Sequence, residues 1–568
     1  MKYNFLLRIR LISGFIIVVF LLLIAKLFSV QVLHGKEYSE RADRQYVTPV
    51  ENLFDRGDIF FKKKDGSLVG AASTITGFKV AIVPKLIKDQ EQAYLAISSV
   101  LTNIDKTDFL RKADKKDDPY EEIGNHLTKE QADKISSQKI LGVSVFKEKW
   151  RFYPGGELAS QTIGFVAYRD NDFLGRYGLE RFYNGTLAFA PQKLYVNFFA
   201  EVFSTINKAF FDNGKKEGDI VSSIEPVVQG FAEKQIGDAV SKWDAMRGGV
   251  IIMNPKNGEI IAMASSPTFN LNNFRQSDVS VFSNSLVENV FEFGSVIKPL
   301  TMSMGLNEGV ITPETKYNDV GQLLIDGHVI NNFDKKARGI VSMQEVLNQS
   351  LNTGAIFVMK RIGKEKFKSY MLDYGFDKKT GIDLPNEAKN LTSNLNTNRD
   401  LEYANASFGQ GIALSPVSLV GAFSALANGG FPVTPHLIIT IKYRDGGQEE
   451  LSYPATKQVI TKETSDVMSN MLTTVVDKGF NTKQFNLDKW SIAAKTGTAQ
   501  VAKADGSGYE EDKHQHTIIG YFPSYDPKFL VLYYLIDPKA QYAIESLRDP
   551  YLNTAKFLLN YYIIPTDR

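Results

Sequence analysis

Cysteine is absent from this chain. Its absence excludes disulfides, thiolate metal sites and cysteine nucleophiles, and leaves serine, lysine and the carboxylates to carry any catalysis. Histidine is scarce, with six copies in 568 residues. So few ligands serve metal chemistry poorly, and neither a metal nor another cofactor is expected. His514 and His516 stand close together in "EDKHQHT", but a solvated loop face fits that polar stretch better than a zinc pair. An excess of charge of one sign is missing too. The 66 basic and 64 acidic residues give a formal +2, which argues against a nucleic-acid binder working through a strongly basic face. No internal repeat or low-complexity tract appears. What is present is bulk: 43% hydrophobic and 12% aromatic content over this length exceeds one ordinary domain and can fill two or three cores.

One long apolar run exists, at the N-terminus. "MKYNFLLRIR" carries Lys2, Arg8 and Arg10 without an acidic residue. Leu11 to Ala25 is apolar, and after Lys26 the apolar character resumes through Leu33. A helix over 11–33 is long enough to cross a hydrocarbon core of about 30 Å, with Lys26 snorkelling at its outer end. Positive charge before the run places residues 1–10 in the cytoplasm. A cleaved signal peptide is the competing reading, but no small-x-small site follows Ala25. An uncleaved anchor is therefore expected, with nearly everything after residue 34 outside the cytoplasmic membrane.

Residues 34–215 are charged and irregular in pattern, with a lysine-rich turn in "FFKKKDG" (60–66) and a helix-like stretch from 88 to 138. A boundary is expected in the polar link "NGKKEGDIVSSIEP" (213–226), after which a helical pattern runs to Trp243. From 216 to 568 the order of elements is legible. "GGVIIMNPKNGEIIAMASS" (248–266) is a β-hairpin. Predominantly helical segments fill 293–430. Strands return in "SIAAKTGTAQV", "HTIIGYFP" and "KFLVLYYLID", and an apolar helix over 543–562 closes the chain. Two strands, a helical insertion and three more strands predict an α+β fold, an antiparallel sheet with one helical lobe grown between its second and third strands. A cleft between sheet and lobe is the natural place for a site.

Three short motifs carry chemistry, and two of them have decoys. In "FEFGSVIKPLT", Ser295 and Lys298 share a face if a helix starts at Gly294 or Ser295, and Pro299 then fits its first turn. A serine at a helix N-terminus, with a desolvated lysine to take its proton, is an activated nucleophile. The spacing alone decides little, because Ser136 and Lys139 repeat it in "ISSQKI". In "VSMQEVLNQSLNTGAIF", Ser342 with Glu345 reads as a capping box. Ser350 and Asn352 fall at the junction with the next helix, where they can relay protons and hold a peptide amide, or merely cap a helix. Lys495, Thr496, Gly497 and Thr498 lie in "WSIAAKTGTAQV", which has strand character. Gly497 permits close approach of a backbone, and the lysine and threonines suit a terminal carboxylate. Its double, Lys379, Thr380 and Gly381 in "YGFDKKTGIDLP", reads as a loop leaving a helix.

Taken in order, Ser295 with Lys298, Ser350 with Asn352, and the Lys495 triplet are spaced 55 and 145 residues apart. In that order they resemble the penicillin-binding transpeptidases, specifically the monofunctional class B branch. "RGDIFFKKKDGSLVG" (56–70), "RFYPGGELASQTIGFV" and "GRYGLERFYNGTL" resemble that family's membrane-proximal and pedestal segments, and "SFGQGIALSP" (407–416) its Gly-Gln-Gly segment. The resemblance implies an anchor, a pedestal (dimerisation-type) domain over 34–215 and a transpeptidase domain over 216–568. It implies catalytic roles for Ser295, Lys298, Ser350, Asn352 and Lys495, substrate binding by Thr496, Gly497 and Thr498, and an oxyanion hole from the Ser295 and Thr498 amides. The expected substrate is the D-alanyl-D-alanine end of peptidoglycan stem peptides, and β-lactam antibiotics are the expected covalent inhibitors. In one departure Phe293 stands where the family usually has proline. No glycosyltransferase motif occurs in 34–215, so a membrane glycosyltransferase and division proteins are implied partners.

Elongation in place of division, and an idle membrane-anchored scaffold, stay open as alternatives. A soluble β-lactamase is disfavoured by the anchor and the long pedestal.

Overall fold

The structure is a computed structural model that describes residues 55–169, 172–189, 216–479, 489–502 and 508–568, with residue 487 and six positions between 18 and 26. Most of the anchor expected over 11–33 lies outside the described residues, and no helix among the described residues is long and apolar enough to cross a membrane. The chain divides into two compact units. The smaller holds Thr76–Trp150, with Met1–Asp55 and Phe189–Lys215; the larger holds Arg56–Ile75, Arg151–Ala188 and Lys216–Arg568.

In the smaller unit the stretch 88–138 resolves into helices Gln90–Ser98, Lys106–Ala113 and Lys129–Ser137, with strand Glu121–Leu127 between the last two. Each helix starts at a side-chain cap, from Asp89, Asp105 and Thr128 respectively, so no first turn is left with all its amides open. Ile97, Phe109 and Ile135 turn inward to meet Val80, Ile82 and Leu127. Ser136 and Lys139 are both exposed. The helix ends at Ser137 and Lys139 takes a left-handed φ of 48°, so this Ser-x-x-Lys pair shares no helix face.

The larger unit is built on the predicted sheet. Helix α1 (Pro226–Lys242) leads into β1 (Arg247–Met253) and β2 (Ile260–Ser266), the expected hairpin. The insertion follows, with α2 (Lys298–Asn307), α3 (Met343–Asn348), α4 (Asn352–Ile362) and α5 (Lys462–Thr474). The chain then returns through β3 (Ala493–Ala502), β4 (Tyr509–Phe522) and β5 (Phe529–Ile536), and closes with α6 (Ala543–Tyr561). The spatial order is β3-β4-β5-β1-β2, antiparallel throughout, with β3 at the edge.

Both faces of this sheet are covered, so its central strands are almost continuously apolar and β5 is buried from end to end. Alternation sorts the residues. Val250, Ile252, Ala494 and Ile518 pack with the helical layer of α1 and α6, while Ile251, Met253, Ala493 and Ile519 belong to the core shared with the lobe.

The predominantly helical lobe also holds two small antiparallel ribbons, in which Lys316–Asp319 pairs with Gly339–Ser342 and Gln322–Ile325 with His328–Asn331. One expectation needs correction. His514 and His516 stand on strand β4, not on a solvated loop. His516 is fully buried, and Ser546 lies 2.8 Å from its Nδ1. Burial lowers its imidazole to about 4.

Residues 56–75 and 151–188 join the larger unit around a buried ion cluster. Arg56 and Arg151 each donate through Nε to the fully buried Glu180 carboxylate, at 2.5 and 2.6 Å. Burial alone would raise the Glu180 carboxyl, but the two guanidiniums hold it below the usual carboxylate range.

Candidate active site

The Ser295 segment takes the predicted form with one refinement. Gly294–Ile297 is a 3₁₀ turn that runs directly into α2, and Pro299 occupies the first turn of α2, where a missing N–H costs little. Gly294 holds a left-handed φ of 60° and donates its amide to the Gly409 carbonyl at 3.1 Å. A Cβ on Gly409 would come within 2.2 Å of the Gly294 oxygen, so "SFGQGI" needs glycine there for backbone-to-backbone packing. Phe293, in the usual proline position, is 1% exposed and packs edge-on to Phe291. Its backbone lies in the αR region at φ −88°, and its large ring fills the core.

Lys298 lies one residue beyond the turn and is 1% exposed. Its Nζ donates to the Ser350 carbonyl, and to the Ser350 hydroxyl at 3.2 Å. Burial, with a smaller contribution from the positive charge of Lys495, pushes its amine well below the usual lysine range. The structure thus brings Lys298, Ser350 and Lys495 together from three separate elements.

Ser350 sits between α3 and α4 with a left-handed φ of 55°, a conformation that costs a non-glycine residue about 1 kcal/mol or more. Neither Ser350 nor Asn352 caps a helix. Leu351 is the N-cap of α4 and provides no side-chain cap bond, so the capping alternative for these residues falls away. Ser342 does cap α3, accepting from the Glu345 amide at 3.3 Å. The Asn352 amide nitrogen donates to the Asn331 carbonyl at 2.8 Å, so one of the unforeseen ribbons steadies it. Ribbon strands of four residues give too short a pattern to register in the sequence.

Lys495, Thr496, Gly497 and Thr498 lie on edge strand β3, paired with Ile519, Ile518, Thr517 and His516 of β4. Lys495 is 2% exposed and donates to the Thr496 carbonyl at 2.9 Å; burial lowers its amine to about 7. Strand alternation puts Lys495 and Gly497 on one face and Thr496 and Thr498 on the other. A Cβ on Gly497 would lie 2.6 Å from the Phe293 carbonyl oxygen and 3.2 Å from Val296 Cγ1. The glycine therefore makes room for the Ser295 turn. Thr498 is exposed, and its hydroxyl accepts from the Ala543 amide at the start of α6, at 3.3 Å.

The second triplet has none of this setting. Lys379, Thr380 and Gly381 form the expected loop after a helix, and the Glu387 carboxylate accepts from the Thr380 and Gly381 amides at 2.6 and 3.1 Å. A further group beside the Ser295 turn, undetected by sequence reasoning, is Glu292. It accepts from the Tyr509 hydroxyl at 2.8 Å, a pairing across 217 residues that no local pattern signals.

A depressed amine hydrogen-bonded to a serine, and a second buried lysine on a strand edge next to a serine-bearing turn, can together support proton transfer and anion binding. Comparison with known proteins points the same way. Residues 248–555 match the penicillin binding protein transpeptidase domain, and residues 55–193 the penicillin-binding protein dimerisation domain. Stage V sporulation protein D of Bacillus subtilis is 30% identical over 546 residues, covering 94% of this chain and 82% of that protein. The peptidoglycan D,D-transpeptidase FtsI of Buchnera aphidicola is 25% identical over 547 residues, covering 94% and 91%. The peptidoglycan D,D-transpeptidase MrdA of Acinetobacter baumannii is 26% identical over 557 residues, covering 89% and 80%. The crystal structure of penicillin binding protein 2X from Streptococcus thermophilus matches the fold with a TM-score of 0.73 at 19% identity, over 90% of this chain and 81% of that one. With a dimerisation domain ahead of a transpeptidase domain that spans more than half its length, the chain belongs to the class B penicillin-binding protein transpeptidases.

Proposed function

We propose that this transpeptidase cross-links peptidoglycan through an acyl-enzyme on Ser295. Lys298 takes the Ser295 hydroxyl proton as the oxygen attacks the carbonyl between the two D-alanines of a stem peptide. The C–N bond breaks, the proton passes to the leaving nitrogen through Ser350, and D-alanine departs. The amine of a second strand then attacks the ester. A new C–N bond forms, the C–O bond breaks, and the amine's proton returns to Ser295. The amides of Ser295 and Thr498 hold the developing oxyanion. The Asn352 side-chain oxygen receives a substrate amide, and Lys495, Thr496, Gly497 and Thr498 form the wall that takes the terminal carboxylate. A β-lactam follows the first half of this path and stalls there.

The observation that carries the reading is the Lys298 amine, desolvated, depressed and hydrogen-bonded to Ser350. A charged ammonium could not serve as base; this environment favours the neutral form. Labelling by a fluorescent penicillin should be strong and should vanish in Ser295→Ala. A mutant that labels normally would overturn the Ser295 assignment, and absence of labelling in the unsubstituted protein would favour the idle-scaffold alternative.

The cellular reading extends this. Residues 11–33 anchor the chain in the cytoplasmic membrane, 34–215 form the pedestal, and 216–568 act outside. The "SFGQGI" segment and the short pedestal support septal synthesis beside a membrane glycosyltransferase and division proteins. A fluorescent fusion should concentrate at midcell, and uniform side-wall signal would favour elongation instead.

A further inference from the structure

The lysine-rich turn of "FFKKKDG" has no part in the chemistry above, yet it borders a cleft of about 430 Å³ in the larger unit. Three separate turns of chain converge on this cleft. The hairpin between strands Ile59–Lys62 and Leu68–Ile82 brings Lys62, Lys63 and Lys64, the β1–β2 turn brings Lys256, and the β4–β5 turn brings Lys528. Phe529 and Tyr562 contribute aromatic lining. The hairpin tip is fixed in place, because Lys64 donates to the Tyr561 carbonyl at 2.8 Å and stands 4.3 Å over the Tyr561 ring.

Carboxylates only partly balance these charges. Lys256 and Lys528 share Asp526, at 2.5 and 2.6 Å, and Asp65 is held by Ser67 at the hairpin tip. Of the two glutamates lining the cleft, Glu225 is buried and already accepts from the Val228 amide and the Tyr561 hydroxyl, at 2.7 and 2.8 Å. Glu259 is half-buried. Among the described residues neither Lys62 nor Lys63 makes a close ion pair with a carboxylate, although the Lys63 charge reaches Asp65 and helps lower its carboxyl, and both lysines border this partly apolar cleft. A concavity with low-dielectric walls focuses positive potential, and compact ammonium groups bind phosphate as point charges.

We infer that this cleft is a second ligand site, separate from the Ser295 centre, and that it takes a phosphate ester. The ester is supplied either by an anionic lipid headgroup or by a soluble polyol phosphate. The aromatic side chains cover the carbon skeleton of the ester, while Lys62 and Lys63 hold its oxygens.

Full-length protein in phosphatidylcholine nanodiscs, titrated calorimetrically with glycerol 3-phosphate and with dihexanoyl phosphatidylglycerol below its micellar concentration, tests this. Binding is expected to weaken at least tenfold in Lys62→Glu/Lys63→Glu and to fall as NaCl rises. It should persist in Lys134→Glu/Lys139→Glu, which removes two lysines of the smaller unit. Thermal unfolding of both variants confirms that they fold. Binding of both probes supports a soluble phosphate ester as ligand, and binding of the lipid alone supports the headgroup. The inference is overturned if neither probe binds, if binding survives the Lys62/Lys63 substitution, or if the control pair loses it equally.

Discussion

The two Lys-Thr-Gly triplets make a controlled comparison within one molecule. At 495–497 the lysine is buried on an edge strand and the glycine touches the turn that carries Ser295. At 379–381 the same three residues form a loop whose amides are held by Glu387. The residues are identical, so the difference comes from the surroundings: desolvation of the ammonium and contact with a second element. The two Ser-x-x-Lys pairs repeat the lesson. One straddles the junction of a 3₁₀ turn and α2 with its lysine buried, while the other runs off the end of a helix with both side chains in solvent.

Substitutions can break these comparisons. The largest effect is expected from Lys298→Ala, which should slow acylation by a fluorescent penicillin about 10³-fold, within the range for loss of a general base. Lys139→Ala should leave the rate unchanged; equal rates for the two variants would remove Lys298 from the mechanism. Next, Lys495→Ala should cost about 10²-fold in the same assay, the scale of one lost electrostatic contact to a developing charge, against less than about twofold for Lys379→Ala.

The glycines separate on stability. Gly497→Ala drives a methyl against the Phe293 carbonyl, so denaturant unfolding should show a loss of about 2–3 kcal/mol along with slowed acylation. Gly381→Ala has open space and pays only for its left-handed φ of 81°, about 1 kcal/mol, with acylation intact.

The effect on pH dependence is small over any one unit and accumulates across the window. With the folded Lys495 amine lowered to about 7 and an unfolded lysine near 10.4, the unfolded chain binds the extra proton between those values. Stability should therefore rise with pH across this window, by up to about 1 kcal/mol per unit, and the slope should shrink in Lys495→Met. An unchanged slope in denaturant titrations from pH 7 to 9.5 would show that burial does not neutralise this lysine.

The sheet was legible in the sequence because each of its strands is an apolar run bounded by turn residues, and because the order of those runs dictates where the lobe must be inserted. The Ser295 turn was legible for a similar reason: Pro299 permits a helix only if its first turn is there. The ribbons at 316–342 were not legible, since four-residue strands with mixed polarity give no period to read. Nor was the environment of His516. Its neighbours "EDKHQHT" are polar, and only the packing of Ser546 from α6 shows that one face of this strand end is closed. The contact between Gly497 and the Ser295 turn was not legible for the same reason, because the atom it avoids belongs to a residue 204 positions earlier.

The absent side chain at Gly497 also has a mechanical consequence. Phe293 and Val296 rest on the backbone of β3 with no clearance, and Gly409 grips Gly294 from another direction through main-chain atoms alone. The nucleophile's turn is thus clamped by parts of the molecule that substitution of ordinary side chains hardly alters. Sequence drift around the cleft can reshape its rim and its selectivity while Ser295 and the Lys495 strand keep a common frame, and a mutation that separates them must first displace a glycine.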